Sequence, residues 1–123
     1  MPPEGDDKAF LWDMREAASD ISKTVLEMTA PEFAEAKFTR LAIERLIIIL
    51  GEAAAGISEP FRLANPEISW RRIQRLRNNL AHGYGQALAL ELYRTCREFV
   101  VPLSRHLDAL CPSPSGESPG RGL

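Results

Sequence analysis

The sequence predicts an all-α protein, an antiparallel bundle of four to five helices. Three observations lead there. Apolar residues recur at steps of three and four along most of the 123 residues. Capping residues, prolines and glycines fall in short clusters between those stretches. The most apolar run, Leu46 to Leu50, is flanked by helix formers and bounded by no turn signal. One domain is expected over residues 1–110, followed over residues 111–123 by a disordered tail rich in Pro, Ser and Gly.

The first helix is marked by Phe10, Met14, Ala17, Ile21, Val25 and Met28, with Asp6 or Asp7 available to cap its start. Thr29-Ala30-Pro31 ends it. Thr29-x-x-Glu32 has the form of a capping box, with Pro31 tolerated in the first turn, so a second helix opens there. It is expected to run to about Ile57 with a bend near Lys37. "LIIIL" lies in its middle, and a helix apolar on most sides is a central one. Ser58 to Pro66 reads as a loop. Ser69 is expected to cap a third helix from Trp70 to about His82, stopped by Gly83 and Gly85. The last helix spans about Ala87 to Leu110. Its apolar side carries Leu88, Leu92, Cys96, Phe99, Leu103 and Leu107 or Leu110, and Pro102 is expected to kink it.

The apolar fraction of 45% and charged fraction of 26% are those of a soluble globular protein. A net charge of −2 gives no global positive field, so a nucleic-acid site must be a local patch. Cys96 and Cys111 lack metal-ligand spacing and read as free thiols of a reducing compartment. No secretory signal and no span long enough for a bilayer are recognised, so a cytoplasmic location is expected.

Arg75 to Gly85, "RLRNNLAHGYG", concentrates groups that bind anions or move protons. It holds one of the two histidines. On a wheel of about 100° per residue, Arg71, Arg75, Asn78 and His82 share one stripe. Arg77 lies on the opposite, mainly apolar side with Trp70, Ile73, Leu80 and Tyr84, roughly 140° from His82. A regular helix cannot aim both at one atom. Unwinding after Leu80, or a second copy of the chain, would let them converge. The bland alternatives are a solvated basic face, a histidine that serves the helix dipole, and a tyrosine that anchors the core.

Arg77-Asn78-Asn79-Leu80-Ala81-His82 resembles the R-N-x-x-x-H signature of HEPN-domain ribonucleases. Arg77-x4-His82-x-Tyr84 resembles the narrower form in HepT-like toxins. "LIIILGEAAAGIS", "NPEISWRRIQRLRNNLAHGY" and "FVVPL" are similar to further blocks of that family, and the likeness covers roughly Asp7 to Leu110. After Tyr84 the family often continues with an aromatic or aliphatic residue and an acidic one, where this chain has Gly85-Gln86-Ala87.

The resemblance implies a HEPN-type bundle that pairs as a homodimer with the two motifs facing across a cleft. It implies RNA cleavage without metal or cofactor. RNA carries its own nucleophile in the 2′-OH, a histidine can take or give the proton, and an arginine can hold the phosphate. In that reading Arg77, Asn78 and His82 are catalytic. Arg71, Arg72 and Arg75 track the RNA backbone, and Glu52 is a candidate partner for Arg77. The resemblance further implies a toxin silenced by an MntA-type minimal nucleotidyltransferase antitoxin, with Tyr84 as the acceptor for AMP. The competing reading is a non-catalytic helical subunit that docks such a nucleotidyltransferase and binds a nucleotide.

Overall fold

A computed structural model describes residues 5–80 and 86–111, with the backbone alone at Gln86 and Ala87. The described residues are helical and contain no strand. In chain order the helices are α1 (Asp6–Leu26), α2 (Ala30–Glu35), α3 (Lys37–Gly56), α4 (Glu59–Ala64), α5 (Trp70–Asn79), α6 (Gln86–Thr95), a π-helical turn (Cys96–Val100) and α7 (Val101–Leu110).

The start of α1 differs from expectation. Gly5 holds the cap position at φ 53°, and Asp6 and Asp7 fall in the first turn. Asp7 instead accepts from the Ser58 N–H at 2.7 Å and from the Ser58 hydroxyl at 2.6 Å. That tie fastens the start of α1 to the segment after α3. The capping box forms as expected. Thr29 N–H donates to Glu32 at 2.8 Å, and Glu32 N–H to the Thr29 hydroxyl at 3.3 Å.

The expected long second helix is two helices. Ala36 leaves helical geometry at φ −93°, ψ 78°. The Arg40 guanidinium covers the freed Ala34 carbonyl, so the break does not strand a backbone acceptor. The expected loop from Ser58 to Pro66 contains α4. Ser58 caps it through the Phe61 N–H, and Pro60 fits the first turn, where its missing N–H costs nothing. Phe61 is buried and anchors it. Asn65, also buried, donates to the Phe61 carbonyl at 3.0 Å and accepts from the Trp70 indole N–H at 3.1 Å. Ser69 does stand at the cap of α5, but its side chain makes no capping hydrogen bond.

Pro102 acts as expected on the last helix, by a specific route. It lacks the N–H that would reach Glu98, and its ring crowds that carbonyl. The turn before it widens to π geometry, and Val101 N–H donates to Cys96 O, five residues back.

α1 packs on α3 and on the π turn and α7, and α3 packs on α5. Gly56 of α3 meets Phe10 of α1, so these two helices run antiparallel. Arg15 pairs with Asp108 at 2.8 Å, while the Tyr93 hydroxyl donates to Met28 O at 2.5 Å, so the last helical stretch also runs against α1. The core joins Leu11, Met14, Ala18 and Ile21 to Ile43, Ile47 and Leu50, then to Ile73, Leu92, Cys96 and Leu107. Within "LIIIL" only Ile47 and Leu50 are fully buried, and Ile48 is half-buried. Leu88 is exposed rather than core, and Ala89 takes the buried position. Cys111, expected in the tail, is buried and donates its N–H to Leu107 O at 2.9 Å. Both cysteines are free. The rest of the expected tail lies outside the described residues. Among those residues no helix is long and apolar enough to cross a membrane.

Candidate functional site

α5 is the element that carries the motif, and Ile73 and Leu76 bury its inner side. Its start is fixed by Trp70 on Asn65 O and by Ile73 N–H on Ser69 O at 3.1 Å. Its middle is fixed on α3. The Gln74 amide donates to Gly51 O at 3.0 Å. One turn later, Arg77 lies directly on Gly51. A Cβ built at Gly51 would stand 2.5 Å from Arg77 Cδ and 2.8 Å from its Cβ. Only glycine admits that approach, because two carbons need well over 3 Å.

Arg77 is therefore held by its aliphatic stem, half-buried on the α3 side, as the wheel requires. Among the described residues its guanidinium has no hydrogen-bond or ion-pair partner. Glu52, the expected partner, is exposed and makes no ion pair with it. The wheel explains why. Glu52 is about 100° around α3 from Gly51, the residue that faces Arg77. Asn78 and Asn79 are exposed. α-Helical geometry ends at Asn79, ahead of the expected end near His82, and Leu80 closes a tighter turn with its N–H on Arg77 O. His82 and Tyr84 lie outside the described residues.

Arg71, Arg75 and Asn78 are exposed on the outer side of α5, while the fourth member of the expected stripe, His82, lies outside the described residues. Arg72 is partly committed, with its guanidinium over the Phe99 ring at 4.3 Å from the centroid. Between α5 and α6 lies a cleft of about 260 Å³ lined by Arg72, Arg75, Leu76, Asn79, Glu91, Leu92 and Thr95. A larger cleft of about 880 Å³, lined by Ala30, Leu90, Tyr93, Arg94 and Arg97 among others, contains none of the motif residues. Among the described residues no group of three His, Cys, Asp or Glu side chains is placed to hold a metal ion.

Gly51 and Gln74 were not singled out as site residues by the sequence. A signal was present, since Gly51 interrupts an otherwise strong helix former run and costs it stability. A glycine retained there needs a close approach to justify it.

Comparison with known proteins bears on the chain as a whole. The "Ribonuclease HepT-like" family matches residues 14–110. "Putative RNase MJ1380" of Methanocaldococcus jannaschii is 32% identical over 103 residues, covering 84% of this chain and 94% of that protein. "Probable ribonuclease HepT" of Thermococcus cleftensis is also 32% identical, with the same coverage of each chain. "Putative RNase MJ0127" of M. jannaschii is 37% identical over 82 residues, 67% of this chain and 68% of that one. No solved structure matches. The family match over residues 14–110 and the relatives at 32% identity, together with the all-helical fold, show that this chain belongs to the HepT-like ribonuclease family.

Proposed function

We propose that the protein is an endoribonuclease toxin that cleaves RNA without a metal ion, acts as a homodimer and is silenced by a nucleotidyltransferase antitoxin. The observation that supports it most is Arg77. A guanidinium anchored by its stem and without a partner among the described residues is suited to receive a phosphate. The RNA 2′-OH attacks the adjacent phosphorus as His82 takes its proton. The 5′-oxygen leaves with a returned proton, and Arg77 stabilises the charge that builds on the phosphorane oxygens. Asn78 donates to the same phosphate. Arg71, Arg72 and Arg75 hold the flanking backbone. The mechanism requires that His82 approach the same phosphate as Arg77, from its own chain or from the second copy; α-helical geometry ends at Asn79, before His82 in the sequence.

Dimerisation has support of its own in α3. Phe38 is 82% exposed and Leu41 49%. Arg45, Ile48 and Glu52 continue the same stripe at steps of three and four. In a twofold pairing, Arg45 of each copy meets Glu52 of the other while the apolar positions are covered. That stripe adjoins Gly51 on the helix wheel, so a second copy seated there brings its motif beside Arg77.

The test is cleavage of a single-stranded RNA by purified protein in EDTA. Products ending in a 2′,3′-cyclic phosphate are expected, and a 2′-deoxy nucleotide at the cleavage position should block the reaction. Cleavage that stops on chelation and returns with added metal would overturn the mechanism.

A further inference from the structure

The cleft between α5 and α6 has an unusual lining. Arg72 and Arg75 stand on one side and Glu91 on the other, with Asn79 and Thr95 at hand and Leu76 and Leu92 beneath. Opposite charges facing each other across a gap ordinarily close on one another. Here they do not. Among the described residues neither Arg75 nor Glu91 has an ion-pair partner. α5 is held on α3 and α6 on α2, so each charge is fixed to a separately anchored helix. The gap of about 260 Å³ is below the usual range for drug-sized ligands and suits one nucleoside.

From this geometry we propose that the cleft is a base-binding subsite selective for guanine, with Glu91 the residue that determines specificity. The inference rests on the ribonuclease reading above. A ligand seated there must offer donors to the Glu91 carboxylate on one edge and acceptors to a guanidinium on the other. Guanine does both. Its N1–H and N2–H are adjacent donors that match the two oxygens of a carboxylate, and its O6 and N7 accept from arginine in bidentate fashion. Adenine and cytosine present a single amino group beside ring acceptors, and a carboxylate repels those acceptors. Uracil has one ring N–H between two carbonyls. The apolar pair Leu76 and Leu92 gives the base a floor, and single-stranded RNA can splay a base into such a site. Asn79 of the cleft and Arg77, the proposed phosphate receptor, lie within one turn of α5, no more than about a helix diameter of 10–12 Å apart, so the base held would be within a nucleotide or two of the phosphate being cleaved.

The experiment uses full-length protein and uridine-rich oligoribonucleotides that carry one guanosine, inosine or adenosine at a single position. Inosine lacks the N2 amino group and is otherwise the same base. Cleavage is expected one or two nucleotides from guanosine, about tenfold faster than at inosine, as a lost base contact of this kind allows. In Glu91→Gln, which keeps the shape of the side chain, the guanosine-to-inosine ratio should fall to about one. Equal cleavage at guanosine and inosine by the wild type, or a ratio unchanged in Glu91→Gln, overturns the subsite and leaves the ribonuclease reading intact. Fluorescence anisotropy with the same oligonucleotides separates the two readings. If no RNA is cut but the guanosine strand binds about tenfold tighter than the inosine strand, and Glu91→Gln removes that difference, the subsite stands and the catalytic reading falls. Absence of any guanosine preference in both binding and cleavage overturns the subsite.

Discussion

Arg77 of α5 lies against Gly51 of α3 so closely that one added methyl group at position 51 would stand 2.8 Å from Arg77 Cβ. A flexible side chain could move its far end away, but Cβ moves only with its backbone. Gly51→Ala must therefore push α5 off α3. The expected cost is about 1–3 kcal/mol, that of overpacking a close contact, read as a lower urea midpoint. RNA cleavage should fall further than stability does, because the displaced residue is the proposed phosphate receptor. Retained wild-type cleavage in a folded Gly51→Ala protein would show that the seat of Arg77 is not needed.

Much of this was legible in the sequence, and the exceptions have physical causes. The stripe from Met14 to Val25 gave α1, Thr29 and Glu32 gave the capping box, and Pro102 gave the irregular last helix. The wheel put Arg77 on the apolar side of its helix, where it lies. The break at Ala36 was expected only as a bend, since no proline or glycine marks it and Arg40 satisfies it from a distance. α4 was read as loop because Pro60 and Pro66 look alike in a sequence. One enters a helix's first turn and the other follows its cap. Asp7 was assigned to its own helix, while its actual partner, Ser58, is 51 residues away. Long-range partners of that kind leave no local trace.

Arg77→Ala and His82→Ala should each abolish RNA cleavage and growth inhibition. Arg77→Ala removes no hydrogen bond or ion pair among the described residues, so its bundle should stay folded, with an unfolding midpoint lowered only by the lost packing of the stem on Gly51. Circular dichroism recorded on the same samples separates a lost group from a lost fold. Loss of helicity in step with activity would mean that these residues are structural.

Phe38 and Leu41 should mark the dimer face. Light scattering is expected to show a dimer for the wild type and a monomer for Phe38→Asp with Leu41→Asp. Both side chains are exposed in the single chain, so the substitutions should leave its fold intact. A wild-type monomer at micromolar concentration would remove the dimer from the mechanism.

Burial pushes the Cys96 thiol up from 9.0 to about 12. The folded state thus keeps a proton that the unfolded chain gives up. The resulting stability is fully present below the unfolded pKa near 9 and is lost as pH rises from there towards 12. Urea midpoints should fall over that window, and Cys96→Ala, whatever its cost at neutral pH, should fall less steeply. The native thiol should also resist alkylation at pH 8 until urea opens the fold. Rapid alkylation of Cys96 in the native protein would contradict its burial.

Tyr84 is the residue on which silencing should turn. It follows His82 by two positions in the sequence and stands between Gly83 and Gly85. Adenylate joined to it through a phosphodiester adds bulk and a negative charge. That charge can pair with the Arg77 guanidinium, which has no partner among the described residues, or with the Arg71–Arg75 stripe, and RNA phosphate is then excluded from the same cations. Tyr84→Phe separates this from a packing role, because it keeps the ring and loses only the acceptor oxygen. The variant should cleave RNA and resist the antitoxin. Incubation with the antitoxin and ATP should raise the intact mass of the wild type by added adenylate and leave Tyr84→Phe unchanged. Neutralisation of an unmodified wild-type protein would mean that the antitoxin acts by binding alone, and Tyr84 would lose the role assigned to it.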